Sequence, residues 1–314
     1  MRALRIVFMG TPDFAVTILD RILEDRHIVV GVVTAPDKPA GRGRKLNESA
    51  VKKYALAHQL PLLQPKNLKA PSFIEELTSL QANLQVVVAF RMLPKSVWSL
   101  PKYGTFNLHA SLLPNYRGAA PIHWAIINGE YKTGVTTFFI NEKIDAGEII
   151  LQKAVDIYDE ETVGQLHDRL MYLGAEVVSA TILQIQKNEV STTKQPSDEI
   201  KIAPKLTPEN TKINWNASLE EIYNHIRGMN PFPSAWSEIV NDNHLIPVKI
   251  YKIKKGRENH HLANGAILTT KKELKVAVTG GYIIIEELKL SGKKKMEAKN
   301  LLNGFHFSPN AKMR

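Results

Sequence analysis

The chain opens with two strongly apolar runs separated by an amphipathic stretch, and this arrangement restricts the fold more than any other feature. The runs ALRIVFMG and IVVGVVTA are continuous, rich in Val and Ile, and typical of parallel strands buried on both faces. Between them, apolar residues recur at helical spacing, at Phe14, Ile18, Leu19 and Ile22. A strand, a helix and a strand in this order predict an α/β fold, Rossmann-like, with a mostly parallel sheet.

The later patterns divide the chain into two predicted domains. Strand patterns at LQVVVAF, GTFNLH, GVTTFFI and GEIILQKAVDI, and a long helix over 163–186, extend the first domain. Residues 189–206 are rich in Ser, Thr, Lys and Pro and lack apolar periodicity, which predicts a linker. A helix and five short strand patterns follow, and they predict a small β-barrel, OB-like in character. The predicted domains are therefore 1–188 and 207–314.

The composition excludes several classes of protein. Hydrophobic residues make up 44% of the 314 residues, so the chain can bury large cores. Cysteine is absent, which excludes a thiol nucleophile, a cysteine-ligated zinc and disulfides. No His and carboxylate cluster has the spacing of metal ligands, and no apolar run reaches the ~20 residues of a membrane span, so we expect neither metal nor membrane. The stretch LRIVFMG is too short for a secretory signal, and we expect a cytoplasmic monomer.

Positive charge concentrates in the last third of the chain. The net charge is +10, and residues 207–314 hold 17 Lys and Arg residues against 10 Asp and Glu residues. This asymmetry favours a polyanionic partner, nucleic acid first. The alternative is a positive charge that only aids solubility.

Three polar residues are the candidate catalytic groups. Asn107 and His109 lie two apart at the end of the strand pattern GTFNLH, so their side chains point to the same face. That is the carboxyl end of the strand, where open α/β sheets place their ligands. Asp145 lies in KIDAGE between two strand patterns, with small residues beside it that leave room for a substrate. On this pattern alone two interpretations stand: a catalytic set, or a turn-forming Asn, a locally bonded His and an Asx-turn Asp.

Five segments resemble the methionyl-tRNA formyltransferase family, and together they span nearly the whole chain. FMGTPDFAV is similar to the start of that family, and APDKPAGRGRKL to a loop that the family inserts after its second strand. NLHASLLPNYRGAAPIHWAIINGE resembles the signature of the wider formyltransferase group, and KIDAGEIIL resembles its carboxylate loop. IRGMNPFPSAW is similar to a segment of the family's C-terminal domain. The basic loop and this last segment favour the tRNA-specific family over the wider group.

The resemblance implies an enzyme that transfers a formyl group from 10-formyltetrahydrofolate to the α-amino group of methionyl-initiator tRNA. It implies a catalytic set of Asn107, His109 and Asp145. The implied folate-binding set is Phe90, Arg91, Met92, Leu93, Ser111, Leu112, Leu113, Pro114 and Gly118. The implied tRNA-binding set is Lys38, Arg42, Arg44, Lys45 and Arg227. The pair Phe90 and Arg91 stands where many members have an aromatic residue and glycine, a pattern closer to other folate-dependent transferases.

The implied chemistry is direct attack by the amine through a tetrahedral intermediate. We expect Asn107 and protonated His109 to donate to the developing oxyanion, and Asp145 to hold the imidazole and help relay the proton. Two alternatives remain. One keeps the folate chemistry with a small amine as acceptor, against which the basic loop and basic C-terminal domain argue. The other is a non-catalytic RNA-binding module on a transferase fold, against which the complete catalytic set argues.

Overall fold

The structure is a computed structural model that describes residues 2–40, 45–196 and 200–314. Its contacts divide the chain into two compact units. The first comprises the chain up to Gly118 together with Gly134–Val155 and Asp168–Ile202, and the second comprises Ala119–Thr133, Asp156–His167 and Ala203–Arg314. Each unit is thus assembled from segments that are separate in the sequence.

The first part of the chain alternates strands and helices, as its apolar patterns predict. In chain order its elements are β1 (Arg5–Gly10), α1 (Asp13–Glu24), β2 (Ile28–Val33), β3 (Lys38–Ala40), β4 (Lys45–Asn47), α2 (Ala50–Ala57), β5 (Leu62–Leu63), α3 (Pro71–Ser79), β6 (Leu84–Val88), α4 (Lys95–Trp98), β7 (Thr105–His109), β8 (Arg117–Gly118), α5 (Pro121–Ile127), β9 (Lys132–Phe139), β10 (Ile149–Asp156), α6 (Val163–Lys187) and β11 (Ile202–Ala203). The four apolar positions predicted to form the core face of α1 are all buried.

Seven of these strands form the main sheet, in the order β10, β9, β7, β6, β1, β2 and β5. β1 runs parallel to β2 and β6, β2 runs parallel to β5, and β6 runs parallel to β7. β9 is antiparallel to β7. The prediction of a Rossmann-like, mostly parallel sheet is confirmed. Parallel neighbours need a crossover between them, and the helices that alternate with the strands provide it.

The second unit is built around an antiparallel sheet. Its remaining elements are α7 (Leu219–Arg227), β12 (Ala235–Asn241), β13 (His244–Gly256), β14 (Ile267–Thr269), β15 (Leu274–Val278), β16 (Gly281–Leu290), β17 (Met296–Glu297), α8 (Ala298–Leu302) and β18 (Lys312–Met313). The sheet order is β14, β15, β16, β13, β12 and β18, with β17 on β16. A bridge between Ala266 and Lys312 brings the two ends of this order together. The predicted barrel is confirmed as a nearly closed antiparallel sheet.

Helix α7 is fixed at its start by its own sequence. Ser218 and Glu221 form a capping box, in which each side chain bonds the other residue's backbone N–H. The apolar residues of α7 then enter the barrel core, where Ile222 and Ile226 are almost completely buried. This local signal explains why the sequence predicts the helix well.

Two kinds of feature are absent from the described part of the chain. Within residues 2–40, 45–196 and 200–314, no helix combines the length and apolar character needed to cross a bilayer. Those same residues contain no group of three or more His, Asp or Glu side chains placed to hold a metal ion.

Candidate active site

Strand β7 carries two of the candidate catalytic residues to its carboxyl end. Its register places Asn107 between Val87 of β6 and Phe138 of β9. Asn107 is half-buried, whereas His109 is only 6% exposed. In the described part of the chain the Asn107 side-chain amide has no hydrogen-bond partner. Its N–H groups can therefore donate to a bound ligand.

The His109 imidazole is held by a backbone carbonyl. Its Nε2 lies 2.8 Å from the Tyr116 carbonyl oxygen, and because a carbonyl only accepts, Nε2 is the donor. In the neutral ring the lone pair therefore belongs to Nδ1. That atom lies 3.9 Å from Oδ2 of Asp145, beyond hydrogen-bond distance. The Tyr116 carbonyl therefore orients the ring, and Asp145 faces Nδ1 across 3.9 Å. That Asp145 helps to hold the imidazole stays a prediction.

Asp145 reaches His109 because the loop after β9 folds back along the sheet. β9 runs opposite to β7 and ends with Phe139 beside Phe106, at the other end of β7 from His109. Asp145 has a φ of +48°, a left-handed conformation that Asp tolerates better than most residues. Its Oδ2 accepts a hydrogen bond of 3.0 Å from the Gly118 N–H. The carboxylate is thus anchored from one side by the loop that follows β7.

One residue that the sequence analysis missed joins these loops. The Gln195 side-chain amide donates to the carbonyl oxygens of Asp145 and Gly147 at 3.0 and 2.7 Å. Its oxygen accepts from the Arg117 guanidinium at 2.6 and 3.1 Å. Gln195 lies within the predicted linker, and its partners are far away in the sequence, so no local pattern could have revealed this contact.

The loop after β7 is built mainly by internal hydrogen bonds. Ser111 is fully buried and its hydroxyl donates to the Asn115 carbonyl at 2.7 Å. Thr136 of β9 donates to the Ser111 carbonyl at 2.6 Å and accepts from the Leu113 N–H at 3.2 Å. Leu113 is also buried. Of the candidate folate-binding residues in this loop, Ser111 and Leu113 therefore shape it, while Leu112, Pro114 and Gly118 are partly exposed.

The segment after β6 forms one wall of an open groove of about 500 Å³. Met92 is 75% exposed in this groove, and Leu93 is buried beneath it with partly buried Phe90. The Arg91 guanidinium donates to the carbonyl oxygens of Pro65 and Lys66 at 2.8 and 3.3 Å. Burial lowers the pKa of Arg91 below its ordinary value. Arg91 thus braces the groove wall, and Met92 exposes its side chain to the groove.

The basic loop after β2 is described only at its two ends. Lys38 is exposed at the start of β3, which pairs with β4 in a short antiparallel hairpin. Arg42, Arg44 and the side chain of Lys45 lie outside the described part of the structure.

An ion pair holds the first end of that loop. The Asp37 carboxylate pairs with Lys52 of α2 and accepts from the Gln64 amide at 3.0 Å. The hydrogen bond from Lys52 is the main cause that keeps the pKa of Asp37 below its ordinary value, and the hydrogen bond from Gln64 is the second. The chain immediately before Lys38 is therefore tied to its own unit.

Arg227, the fifth candidate tRNA contact, is a buried residue of the second unit. It is 7% exposed, and its guanidinium donates to the carbonyl oxygens of Glu161 and Tyr158 at 2.9 and 3.2 Å. Its Nε donates to Asn224 at 2.8 Å. Burial lowers the pKa of Arg227. The sequence contained a signal for the burial of Arg227. This residue follows buried Tyr223 by four positions and so lies on the same face of α7.

Replacing Arg227 with methionine is expected to lower the free energy of unfolding by about 2 to 4 kcal/mol, because one buried and two partly buried acceptors lose their donor. Urea denaturation of the variant against the parent measures this. Lys289→Met, at an exposed position of β16, is the matched control and should change stability by less than about 0.5 kcal/mol. Unchanged stability together with weakened tRNA binding would restore Arg227 as a tRNA contact.

Models of two protein domains match most of the chain. The formyl transferase model matches residues 4–182, and the model of the formyl transferase C-terminal domain matches residues 205–306. The chain therefore belongs to the formyltransferases. Relatives of nearly identical length refine this class.

The methionyl-tRNA formyltransferase of Flavobacterium johnsoniae is 56% identical to this chain over 100% of both chains. That of Bacteroides fragilis is 50% identical over 99% of this chain and 98% of the relative. The chain belongs to the methionyl-tRNA formyltransferase family.

Solved structures with the same fold are more distant in sequence. An N-formyltransferase from Helicobacter canadensis, in complex with folinic acid and dTDP-3-aminofucose, is 21% identical with a TM-score of 0.65, covering 93% of this chain and 100% of that one. HypX from Aquifex aeolicus, in complex with tetrahydrofolic acid, is 16% identical with a TM-score of 0.65, covering 96% of this chain and 47% of that one. These likenesses support the two-domain fold.

Proposed function

We propose that this protein transfers a formyl group from 10-formyltetrahydrofolate to the α-amino group of methionyl-initiator tRNA. The observation that carries the proposal is the full-length identity of 56% to a methionyl-tRNA formyltransferase. The grouping of Asn107, His109 and Asp145 at one end of β7 supports it, because these residues supply the donors and the proton acceptor that the reaction needs. We propose residues 1–188 as the catalytic domain, 189–206 as the linker and 207–314 as the tRNA-binding domain, acting as a cytoplasmic monomer.

The acceptor amine needs little activation by the protein. A free terminal amine has a pKa near 7.7 to 8.0, so a useful neutral fraction exists at neutral pH. Its nitrogen attacks the formyl carbon, the bond from that carbon to the donor nitrogen breaks, and the proton of the new ammonium moves to the departing nitrogen. No bond to the enzyme forms, in keeping with a chain that has no cysteine.

The catalytic set has two tasks in this reaction. The Asn107 amide donates to the negative charge that develops on the formyl oxygen, and a preorganised donor of this kind contributes roughly 3 to 4 kcal/mol. His109 takes up and returns the proton at Nδ1, because its Nε2 is committed to the Tyr116 carbonyl. Asp145 stabilises the imidazolium across 3.9 Å, and such contacts commonly shorten when substrate binds.

The formyl donor is proposed to bind in the groove beside β6 and the loop after β7. Two proteins of the same fold bind folinic acid and tetrahydrofolic acid. The groove offers the apolar surface of Met92 and Leu93 for a flat heterocycle, and the backbone after β6 can pair with its amide edge. Phe90 packs against the buried cluster that contains Leu93. Residues 66–69 also line the groove, and Leu112, Pro114 and Gly118 of the loop after β7 are proposed as further contacts of the ligand. In this proposal Arg91 stabilises the groove wall through its hydrogen bonds to the Pro65 and Lys66 carbonyl oxygens.

The tRNA is proposed to contact the basic loop and the basic C-terminal domain. Exposed Lys38 and its neighbours Arg42, Arg44 and Lys45 provide cations for the phosphates of an acceptor stem. The C-terminal domain contributes +7 of the net charge of +10, since residues 207–314 hold 17 Lys and Arg residues against 10 Asp and Glu residues. Arg227 is left out of this set because its guanidinium is buried.

Arg42→Ala is expected to lower kcat/KM for methionyl-initiator tRNA about tenfold, since one charged contact to RNA is lost. The Kd of tetrahydrofolate should stay within about twofold, because folate chemistry does not need the loop. Initial-rate kinetics and a fluorescence titration measure the two quantities. Lys187→Ala, an exposed position at the end of α6 outside the proposed tRNA-binding domain, is the control for a simple loss of charge. An unchanged kcat/KM for the charged tRNA would exclude this role for Arg42.

Transfer of labelled formyl from 10-formyltetrahydrofolate tests the proposed function directly. The acceptors are methionyl-initiator tRNA, methionyl-elongator tRNA and a nucleotide-linked amino sugar. We expect preferential labelling of the initiator tRNA. Labelling of the amino sugar alone would assign the protein to small-molecule transferases, and no labelling despite RNA binding would make it a non-catalytic module.

A further inference from the structure

The Gln195 amide uses its full hydrogen-bonding capacity on two loops of the first unit. Its two N–H groups meet the carbonyl oxygens of Asp145 and Gly147, and its oxygen meets two N–H groups of Arg117. An amide has two hydrogens to donate and two lone pairs to accept with, so all four are used. A side chain with this geometry has one permitted orientation.

Both loops that Gln195 joins lead to the candidate catalytic carboxylate. Arg117 directly precedes Gly118, whose N–H donates to Oδ2 of Asp145 at 3.0 Å. On the other side, the bond from Gln195 reaches the backbone of Asp145 itself at 3.0 Å. The Asp145 carboxylate is therefore held in two ways: through the Asp145 backbone, which Gln195 bonds, and through the Gly118 N–H. Gln195 links the two because it also bonds Arg117, the residue before Gly118.

The segment that carries Gln195 is fixed independently of its side chain. Thr193 pairs with Ile149 of β10 by two backbone hydrogen bonds of 2.8 and 2.9 Å. Thr192 also donates to Glu148 at 2.6 Å. Loss of the Gln195 amide would thus leave the segment attached to β10 and release only the loop contacts.

The backbone of the Asp145 loop needs such a support. Asp145 has a φ of +48°, and its neighbours Ala146 and Gly147 carry no long side chains that could anchor the loop by packing. Within the loop, the Lys143 N–H donates to the Asn141 side-chain oxygen at 2.9 Å, before Asp145, and the Asn141 amide donates to the Ala146 carbonyl at 3.4 Å. The two bonds from Gln195, at 3.0 and 2.7 Å, are shorter than this last contact.

We infer that Gln195 is a positioning residue that holds Asp145 in place for catalysis through the carbonyl oxygens of Asp145 and Gly147. This inference rests on the proposed catalytic role of Asp145. Gln195 acts on the loop backbone, so its loss should change the rate of the chemical step more than the binding of either substrate. A displacement of about 1 Å at a catalytic group can cost up to ~100-fold in rate.

Gln195→Glu is the most informative variant, because a carboxylate keeps the acceptor toward Arg117 and has no hydrogen to give to the two carbonyl oxygens. We expect its kcat for formyl transfer to fall about tenfold, with KM for both substrates within about threefold. Gln195→Leu removes the bonds to Arg117 as well as those to the two carbonyl oxygens, and its kcat should fall at least as far. Thr193→Ala, whose backbone bonds to β10 remain, is the matched control and should keep the parent rate.

A double-mutant cycle separates positioning from general structural support. In an Asp145→Asn background, Gln195→Glu should lower kcat by less than about twofold, because the carboxylate that Gln195 positions is already absent. An equal loss in both backgrounds, or a parent rate for Gln195→Glu alone, would overturn the inference. A parent rate for Asp145→Asn alone would instead show that the proposed catalytic role of Asp145 is wrong, and the inference would fall with it. Thermal melting of all variants checks that they fold.

Discussion

Formyl transfer is expected to fall about a hundredfold or more when His109 is replaced by alanine or Asp145 by asparagine, with the fold retained. His109→Ala removes the imidazole whose Nδ1 is proposed to take up the proton, since Nε2 is bonded to the Tyr116 carbonyl. Asp145→Asn keeps the shape of the side chain and removes the charge that faces Nδ1 across 3.9 Å. General acid–base assistance is worth about 100- to 10,000-fold, which sets the expected scale.

Single-turnover transfer of labelled formyl to methionyl-initiator tRNA is the measurement, because it reports the chemical step without product release. Exposed residues of the same types provide the controls: His306→Ala and Asp156→Asn should keep the parent rate. Melting temperatures of all four variants show whether a loss of rate reflects unfolding. Near-parent rates for both His109→Ala and Asp145→Asn would mean that this site is not the catalytic centre.

The sequence predicted the main sheet because its signals are local. β1 and β2 lie in continuous apolar runs, and α1 shows its buried face through residues spaced by helical turns. The alternation of side chains along a strand likewise placed Asn107 and His109 on one face. Where an element is two or three residues long, as at β17 and β18, no periodicity exists and the sequence analysis missed it.

The sequence pointed to those parts of the candidate site that consist of side chains at a strand end or in the loop between two strands. It did not show the parts made by backbone groups or by residues far away along the chain. The Tyr116 carbonyl that orients His109 is a backbone group, and any residue at that position supplies one. The role of Gln195 depends on contacts with residues far away along the chain, which composition and spacing cannot show. Asp145 was assigned correctly to a loop between strands, but the backward course of that loop follows from the pairing of β9 with β7.

The second large effect is expected at a residue with no side chain. Gly147 is buried two residues after Asp145, and a Cβ at this position would overlap the Phe139 carbonyl oxygen and lie 2.8 Å from its carbonyl carbon. The Phe139 backbone cannot yield, because its N–H donates to the Glu148 carbonyl at 3.0 Å within the β9 and β10 pair. In Gly147→Ala the loop must therefore move, and it carries Asp145 with it.

We expect Gly147→Ala to lower the single-turnover rate about a hundredfold or more and the free energy of unfolding by about 1 to 3 kcal/mol. The loss should exceed that of Gln195→Glu, because a clash with strand backbone displaces the whole loop, whereas the loss of two hydrogen bonds only loosens it. Gly304→Ala is the matched control, since a Cβ there has no atom within 4 Å, and it should leave both rate and stability unchanged. A parent rate for Gly147→Ala would show that the loop absorbs the extra carbon without moving Asp145, and the close approach of Gly147 to β9 would then have no part in catalysis.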